Sequence, residues 1–429
     1  LDHLSRSGWN AVARNNVSGA CLQQNMHAKY LVVGAGYAGL AAARRLAELF
    51  PDETIVVLDA TRPAENASGR NSGFMIDLPY AKIDSRSSPE QSQWQINLLR
   101  SGQRLLKDLV DAHNIGCGWS QAGHYKAATS DFGIGQLKAV ETTLEKNRIP
   151  FRRLAPRQIR SELGSSHYKR AIWLQNCTLV QPAELVNGLI GSLPKNVTVF
   201  FDTPVSAISR GSPYTVTANH HEISAEFIFL CANTGLPFFG HAKYRQLTMY
   251  TYAGLSRELS DAESDAFGGA AEWGVTPVER LEATSRKIDG RRFMLRAGFS
   301  YKHELPTDQV KKHLSGMLLA RYPDTPADLF EYVWGGAVSL TRNGDPVYER
   351  LGEKIYGVSG CNASGILKMT MLGTLLVDGA FGLDSELLDQ TRRFSHPGFI
   401  PPDPIRRMAV NMSIRKIRRQ MNGNQWKKS

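Results

Sequence analysis

The pattern of apolar and polar positions predicts a β-α-β unit near the start of the chain. Residues 29–33 (KYLVV) are an apolar run typical of a buried strand, and residues 37–50 place apolar side chains along one face of a helix that ends before Pro51. Residues 54–58 (TIVVL) form a second buried strand, which leads into Asp59. Two parallel strands need a crossover of this length, so the unit indicates a parallel sheet flanked by helices.

Helical and strand-like periodicities alternate along the rest of the chain and predict a two-part α/β architecture. Helices are predicted at residues 91–113, 131–147, 182–193 and 365–381. Strands are predicted at residues 197–201, 205–209, 227–231, 247–255, 292–299, 330–338 and 354–358. The three strands between 247 and 338 are rich in β-branched and aromatic residues, which favours an antiparallel sheet in a substrate lobe between two nucleotide-binding pieces.

These elements predict the domain organisation. A discontinuous, Rossmann-like nucleotide-binding domain comprises residues 29–90, 170–235 and 335–395. An inserted α+β substrate domain, built on an antiparallel sheet, comprises residues 91–169 and 236–334. Residues 1–28 are an N-terminal extension, and residues 396–429 are a basic tail that starts with the helix-breaking sequence HPGFIPPDP.

Composition narrows the class of protein. A chain of 429 residues with 42% hydrophobic content can bury a large core, and no apolar run is long enough for a transmembrane helix. The five cysteines are widely spaced and include no C-x-x-C pair, so we expect neither a disulfide framework nor a metal site, and a cytoplasmic location.

The formal net charge of +11 lies mainly in the C-terminal tail. No acidic residue follows Asp403, and the basic residues beyond it are Arg406, Arg407, Arg415, Lys416, Arg418, Arg419, Lys427 and Lys428. Without them the net charge is only +3. Residues 405–420 suit a basic helix that either contacts anionic lipid or nucleic acid or packs on the protein's own surface, and we favour the latter.

The sequence GAGYAG at residues 34–39 is typical of a dinucleotide site because it follows a strand and opens a helix. Gly34 permits a tight turn, Gly36 lets the backbone approach a pyrophosphate, and Gly39 lets the helix pack closely on the strand. Asp59 follows twenty residues after Gly39 and can accept hydrogen bonds from a ribose. An acid at this position disfavours a 2′-phosphate and hence NADP.

Two further segments favour FAD over NAD. Residues 67–73 (ASGRNSG) form a small, polar loop that can wrap a second phosphate and lie under a flavin ring. Residues 357–365 (GVSGCNASG) lead into the last predicted helix. The N-terminus of that helix would direct its dipole at the flavin, where negative charge grows on reduction.

With these motifs the chain resembles the D-amino-acid-oxidase-like superfamily of FAD enzymes, of the glycine and sarcosine oxidase type. The ASGRNSG loop is most similar to the γ-glutamylputrescine oxidoreductase branch. The resemblance runs from about residue 29 to residue 381 and implies non-covalent FAD binding. The implied cofactor residues are Gly34, Ala35, Gly36, Tyr37, Ala38, Gly39, Asp59, Ala60, Ser68, Gly69, Arg70, Asn71, Ser72, Gly73, Val205, Ala232, Asn233, Gly360, Asn362, Gly365 and Ile366. The chain departs from the family pattern in GCNASG, which lacks a common histidine, and at Asn343, where an acid is common.

The resemblance implies oxidation of a carbon–nitrogen bond in an amine or amino acid, by hydride transfer to flavin N5 and hydrolysis of the resulting imine. The implied partners are a small-molecule amine or amino acid and either O2 or another electron acceptor, without nucleic acid. Two alternatives stay open. One is an opine- or hydroxy-acid-type dehydrogenase subunit that passes electrons to a protein or quinone, and the other is a flavin-bound RNA-modifying factor that uses the basic tail.

Candidate substrate residues lie on the predicted antiparallel strands. Tyr250 and Tyr252 alternate onto one face of a strand and form either a pocket wall or ordinary core. Arg296 is either a planar clamp for a substrate carboxylate or a solvated strand arginine. Trp334 is either a pocket residue or a core residue, and we favour the core.

Three further candidates lie near the predicted flavin-ring segment. Arg342 either binds substrate or supports a turn, and Lys368 either polarises the flavin or is a solvated helix lysine. Cys361 is placed to form a covalent bond to flavin, but simple packing of a small side chain is the interpretation that we favour.

Overall fold

The computed structural model describes residues 3–79 and 89–422. Its helices are α1 (Gly8–Ala11), α2 (Tyr37–Leu49), α3 (Ala67–Arg70), α4 (Pro89–Ala112), α5 (Asp131–Lys146), α6 (Pro156–Leu163), α7 (Pro182–Gly191), α8 (Asp261–Ala266), α9 (Thr307–Leu319), α10 (Gly365–Ala380), α11 (Glu386–Thr391) and α12 (Ile405–Asn422), with a 3-10 helix at Asn233–Phe239. Its strands are β1 (Met26–Val33), β2 (Ile55–Leu58), β3 (Phe74–Ile76), β4 (His124–Ala128), β5 (Arg152–Leu154), β6 (Arg170–Leu174), β7 (Cys177–Leu179), β8 (Val197–Phe200), β9 (Val205–Ile208), β10 (Tyr214–Ala218), β11 (His221–Leu230), β12 (Gln246–Ser256), β13 (Trp273–Pro277), β14 (Thr284–Ile288), β15 (Arg292–Tyr301), β16 (Phe330–Thr341), β17 (Val347–Arg350) and β18 (Ile355–Ser359).

The first sheet is the predicted nucleotide-binding sheet. Six of its eight strands run in the order β17-β18-β11-β1-β2-β8, and the five from β18 to β8 are parallel. The other two, β10 and β9, continue antiparallel from β11. Helix α2 makes the crossover between β1 and β2, which pair from Tyr30 with Ile55 to Val33 with Leu58. The four residues of β2 are all buried, as parallel strands with helices on both faces require. The predicted α/β fold is confirmed.

The second sheet is mainly antiparallel, as predicted for the strands between residues 247 and 338. Its order is β16-β12-β15-β14-β13-β4-β6-β5, and every pair is antiparallel except β13 with β4. Strand β6 and all of β16 belong to this sheet. The sequence assigns residues 170–174 and 335–341 to the nucleotide-binding part, but the structure places them in the second sheet. The predicted boundaries at residues 170 and 335 therefore do not coincide with the division between the sheets.

The N-terminal extension packs tightly across both parts of the molecule. Trp9 in α1 is only 1% exposed and lies edge-on to Trp334 of the second sheet, with ring centroids 6.2 Å apart. Its indole Nε1 donates to the Asn71 carbonyl at 2.8 Å, in the ASGRNSG loop. Further along the chain, Leu22 N–H donates to Thr203 Oγ1 next to the first sheet. The extension therefore bridges the two sheets.

The C-terminal tail contains a surface helix. Helix α12 follows residues 396–404, where the sequence predicts a break, and its outward apolar residues Ile405, Met408 and Met412 are 58%, 62% and 66% exposed. Among residues 3–79 and 89–422, no helix combines the length and the apolar character needed to cross a membrane.

Candidate active site

One large cavity of about 680 Å³ lies where the two sheets meet. Its floor includes the GAGYAG turn after β1, Asp59 after β2, and the ASGRNSG loop. Its roof is formed by strands of the second sheet, and one end is formed by the start of α10. Ligands of open α/β sheets bind at this position, outside the carboxyl ends of the parallel strands.

The glycine turn lies in close contact with neighbouring segments, so the positions of Gly34 and Gly36 admit only glycine. Gly34 has a φ of +109°, and a Cβ there would lie 2.7 Å from the Cys231 carbonyl. A Cβ on Gly36 would lie 2.6 Å from Ser68 Oγ, which accepts the Tyr37 N–H at 3.2 Å. The tight turn lies at the N-terminus of α2, where backbone N–H groups and the helix dipole attract phosphate.

Asp59 connects the glycine turn to the end of β2. Its Oδ2 accepts the Ala35 N–H at 2.8 Å, and its Oδ1 accepts the N–H and the hydroxyl of Thr61 at 2.9 and 2.8 Å. Burial raises the pKa of Asp59, while these three hydrogen bonds favour its ionised form. A carboxylate has about four lone-pair sites, so one remains for a ligand hydroxyl.

Arg70 lies in the cavity loop, but its guanidinium does not reach a ligand position. Nε donates to the Gly335 carbonyl, and the two other nitrogens donate to Glu65 Oε2 and the Ser5 carbonyl, all at 2.7–2.8 Å. The side chain therefore fixes the loop to β16 and to the N-terminal extension. Because the side chain is fully buried among these partners, only the backbone of Arg70 is open to the cavity.

The start of α10 presents a second helix N-terminus to the cavity. Its N-cap, Ser364, makes no side-chain capping hydrogen bond, and its first turn contains no acidic residue. Gly365 and Ile366 line the cavity. The free N–H groups of this turn are suited to stabilise negative charge on a ligand.

The structure brings most of the predicted cofactor residues together. Those that line the cavity are Gly34, Ala35, Gly36, Tyr37, Ala38, Asp59, Ala60, Ser68, Gly69, Arg70, Asn71, Ser72, Val205, Ala232, Asn233, Gly365 and Ile366. Gly39, Gly73, Gly360 and Asn362 lie outside its lining and shape it instead. A Cβ on Gly39 would lie 1.7 Å from the Gly34 carbonyl, and the Asn362 side chain fastens the loop before α10 to Thr341 and Gly344.

Arg296 is the predicted substrate residue that lines the cavity. Its two terminal nitrogens donate to Thr251 Oγ1 at 3.0 Å and to Thr284 Oγ1 at 3.1 Å. Burial lowers the pKa of Arg296 to about 10, which still leaves the guanidinium charged at neutral pH. No carboxylate in the described part of the chain pairs with it.

The other substrate candidates do not line this cavity. Thr251 and Ala253 of β12 face the cavity, so Tyr250 and Tyr252 point to the opposite side of the sheet, into a second hydrophobic core. Trp334 is 1% exposed and donates to the Arg70 carbonyl at 3.0 Å, so it is a packing residue. Arg342 is exposed, and Lys368 is absent from the lining although Leu367 and Met369 belong to it.

Sequence reasoning missed the cavity residues on β13, on β14 and between them. Thr276, Thr284 and Glu279 line the cavity, and Glu279 is 1% exposed, with Oε1 accepting hydrogen bonds from Thr129 and Ser130 at the start of α5. Its Oε2 has no hydrogen-bond partner among the described residues. Strands β13 (WGVTP) and β14 (TSRKI) are not predicted, because glycine, proline and charged residues interrupt their apolar positions.

Comparison with known proteins decides the family. A family model described as FAD dependent oxidoreductase (DAO) matches residues 29–379. This chain belongs to that family. The predicted FAD cofactor and the predicted class of enzyme, an FAD-dependent oxidoreductase, are thereby confirmed. The glycine cradle, the acid after β2 and the two helix N-termini fit FAD, and Cys361 lines the same cavity.

Relatives of this flavoenzyme support the same assignment. It is 23% identical over 385 residues to γ-glutamylputrescine oxidoreductase from Escherichia coli, covering 88% of this chain and 89% of that one. It is 22% identical over 387 residues to a probable oxidoreductase, OrdL, from Haemophilus influenzae, covering 85% and 86%.

Solved structures show the same fold. Glycine oxidase from Geobacillus kaustophilus superimposes with a TM-score of 0.72 at 16% identity, covering 84% of this chain and 96% of that chain. An FAD-bound L-α-glycerophosphate oxidase from Mycoplasma pneumoniae gives a TM-score of 0.68 at 15% identity, covering 85% and 95%.

Proposed function

We propose that this flavoenzyme oxidises the carbon–nitrogen bond of an amino acid or a related amine that carries a carboxylate. In the reaction the substrate carbon loses a hydride and its nitrogen loses a proton, which leaves an imine that water hydrolyses. FAD, when bound, accepts the hydride and both electrons at N5.

The observation that carries this proposal is the environment of Arg296. A guanidinium can donate five hydrogen bonds, and two of them go to the hydroxyls of Thr251 and Thr284. These hydroxyls hold the planar group at the cavity wall, and donors remain for a bidentate carboxylate. Because the guanidinium of Arg296 is buried and the residue lies opposite Ala253 in the pairing of β12 with β15, little water competes for that interaction.

The remaining wall suits the release of a hydride from an amine. The amine must be neutral to lose a hydride, and a partly apolar cavity lowers the pKa of an ammonium group. Apolar side chains of Phe74, Ile76 and Met369 line the cavity together with Arg296. No acid–base side chain is required in this account, because the protein's contribution is orientation and exclusion of water.

An arginine that binds a substrate carboxylate would also bind a 2-hydroxy acid, so the experiment tests hydroxy acids beside amino acids. Purified protein with bound FAD is mixed anaerobically with L- and D-amino acids, N-methyl amino acids and the corresponding 2-hydroxy acids, and flavin bleaching is followed. The proposal expects bleaching by a nitrogen-containing member and little by its hydroxy counterpart. Bleaching by hydroxy acids alone would contradict it.

The electron acceptor is distinguished in the same preparation. Peroxide release on admission of air would identify an oxidase, whereas reduction of a dye or quinone without peroxide would identify a dehydrogenase.

A further inference from the structure

The exposed apolar side chains of this protein are concentrated on one surface. The described residues include eight large hydrophobic side chains that are exposed, and six of them lie in two segments, 238–244 and 399–412. The six are Phe238, Tyr244, Phe399, Ile405, Met408 and Met412. Contiguous exposed apolar groups mark interaction sites, whereas scattered ones need no explanation.

The two segments are fastened to each other and form a single surface. The Tyr244 and Phe399 rings are 5.9 Å apart, and the Ile400 N–H donates to the Tyr244 carbonyl at 2.6 Å. Arg245 donates to the Pro397 carbonyl at 3.1 Å, and Arg406 donates to the Lys243 carbonyl at 3.3 Å. We call the surface formed by residues 238–245 and 397–419 the apolar-basic surface.

Helix α12 has one face toward the protein and one away from it. Arg406, Val410, Ile414 and Ile417 are partly buried, whereas the residues on the opposite face are exposed. At about 100° per residue, the outward face contains Ile405, Met408 and Met412 in its first half. It continues with Arg415, Lys416 and Arg419 in its second half.

The charge of this surface is predominantly positive, since its one acidic residue, Asp403, is paired with Tyr301 and Lys302. After Asp403 the chain contains only basic charged residues, and Lys243 and Arg245 add to them in the neighbouring segment. Aromatic and apolar side chains combined with basic ones are the combination that binds the interface of an anionic bilayer. Each Lys or Arg near an anionic bilayer strengthens binding through its attraction to the headgroups, and salt weakens that attraction.

We propose that the apolar-basic surface docks this enzyme on a lipid bilayer that contains anionic headgroups. Ile405, Met408, Met412 and Phe399 enter the interface, and the outward basic residues of α12 contact the lipid headgroups. Phe238 also lines the FAD cavity, so docking brings the rim of that cavity to the lipid surface. This peripheral contact is independent of the substrate proposed above.

Co-sedimentation of the full-length, FAD-loaded protein with lipid vesicles tests the proposal. Phosphatidylcholine vesicles are compared with vesicles that also contain phosphatidylglycerol, at low and at high salt. The expected result is binding to the anionic vesicles, with weaker binding at high salt and little binding to phosphatidylcholine alone. Absence of binding to anionic vesicles at low salt would overturn the proposal.

Two sets of substitutions separate the charged and the apolar parts of the surface. Arg415→Gln, Lys416→Gln and Arg419→Gln together should weaken binding on the order of 100-fold. Arg157→Gln, Arg160→Gln and Lys195→Gln remove the same charge from exposed sites on α6 and before β8, outside the surface, and should leave binding within about twofold of wild type.

The paired change Met408→Ser and Met412→Ser should also weaken binding, at unchanged charge, whereas Leu4→Ser, at an exposed site outside the surface, should not. Flavin content and thermal unfolding verify that each variant is folded. Equal loss in the surface and control variants would overturn the proposal.

Two other occupants give different results. If α12 binds nucleic acid, the charge variant loses affinity for RNA while the methionine variant keeps it, and vesicles do not bind. If a second copy covers the surface, light scattering shows a dimer that the methionine variant dissociates. Either result without vesicle binding would overturn the proposal.

Discussion

Arg70 and Arg296 line the same cavity but differ in what their guanidinium groups contact. All three guanidinium nitrogens of Arg70 donate hydrogen bonds within the protein, to Glu65 and to the carbonyls of Ser5 and Gly335. Arg296 has two threonine hydroxyls and no carboxylate partner in the described ranges, so it can receive an anionic ligand. The sequence predicts Arg70 in the cofactor loop but does not show that its guanidinium is fully occupied, because the Ser5 and Gly335 carbonyls come from distant segments.

At Cys361 we expect no covalent bond to the flavin. Its thiol lines the cavity and contacts the Ser339 carbonyl at 3.8 Å. Acid precipitation of the holoprotein should therefore release FAD into the supernatant, in wild type and in Cys361→Ala alike. A yellow pellet from wild type that becomes colourless in the variant would contradict this expectation.

Packing of α10 against α2 positions both helix N-termini at the cavity. A Cβ on Gly373 would lie 2.1 Å from the Ala38 carbonyl, so the two helices are in close backbone contact there. Gly373→Ala should destabilise the protein by about 1–3 kcal/mol and weaken FAD binding, because α10 must move away from α2.

Gly379 in the same helix provides the matched control. A Cβ there would meet its nearest neighbour, Leu388 Cδ1, at an ordinary 3.4 Å. Gly379→Ala should be neutral or stabilising by up to about 1 kcal/mol because alanine has the higher helix propensity. Denaturant unfolding and flavin titration measure both variants, and equal effects at the two glycines would show that helix contact is not the cause.

A carboxylate holds α5 to the edge of the second sheet. Glu141 accepts hydrogen bonds from Arg170 of β6 at 2.9 and 2.8 Å and from Arg153 of β5 at 2.9 Å. Burial opposes its ionised form, but the two arginines outweigh burial and lower the pKa of Glu141 below its usual value.

The stability from Glu141 should therefore depend on pH. When folding lowers the pKa of an acid, its contribution to the free energy of unfolding is complete above the pKa that it has in the unfolded chain. That contribution is lost as the pH falls through the pKa that it has in the folded protein. Glu141→Gln should cost about 1–2 kcal/mol at neutral pH and progressively less below about pH 4. Urea unfolding across that range tests this, with the exposed Glu145→Gln as control; a pH-independent cost would contradict it.

Long, strongly periodic elements and short strands with an apolar run could be predicted from the sequence, whereas short strands without such a run, such as β13 and β14, could not. Helices α2, α4, α5, α7 and α10 and the strands of the β-α-β unit lie within a few residues of their predicted bounds. The position of β12 was predicted correctly, but the face that lines the cavity was not. Tyr250 and Tyr252 alternate with Thr251 along the strand, and the sequence allows either set to face the cavity. Packing against the other sheet decides which face of β12 points to the cavity, and the sequence of a single strand does not show how it packs.

At the scale of the whole molecule, the N-terminal extension connects the two sheets through Trp9. We expect Trp9→Ala to cost about 3–5 kcal/mol, because a fully buried indole leaves a cavity and its bond to the Asn71 carbonyl is lost. FAD should also dissociate faster, since that bond holds the ASGRNSG loop. Leu4→Ala, at a site 58% exposed, serves as control. Stopped-flow exchange of FAD in both variants tests this, and equal exchange rates would contradict it.

The extension was predicted only as a segment that precedes the nucleotide-binding domain. Its packing could not be inferred because its single short helix carries one buried aromatic residue and no periodic pattern. The separation of the rest of the chain into a parallel first sheet and a second sheet could be predicted, because the β-α-β spacing and the GAGYAG turn are local properties of the sequence.

The most direct test of the account is the dependence of flavin reduction on Arg296 and on a substrate carboxylate. The rate of anaerobic bleaching is measured with the active amino acid and with its decarboxylated amine, in wild type and in Arg296→Met. We predict that the concentration of amino acid giving the half-maximal rate rises about 100-fold in the variant, while the decarboxylated amine reacts poorly and equally with both. A decarboxylated amine as effective as the amino acid in wild type, or an unchanged concentration dependence in Arg296→Met, would contradict the account.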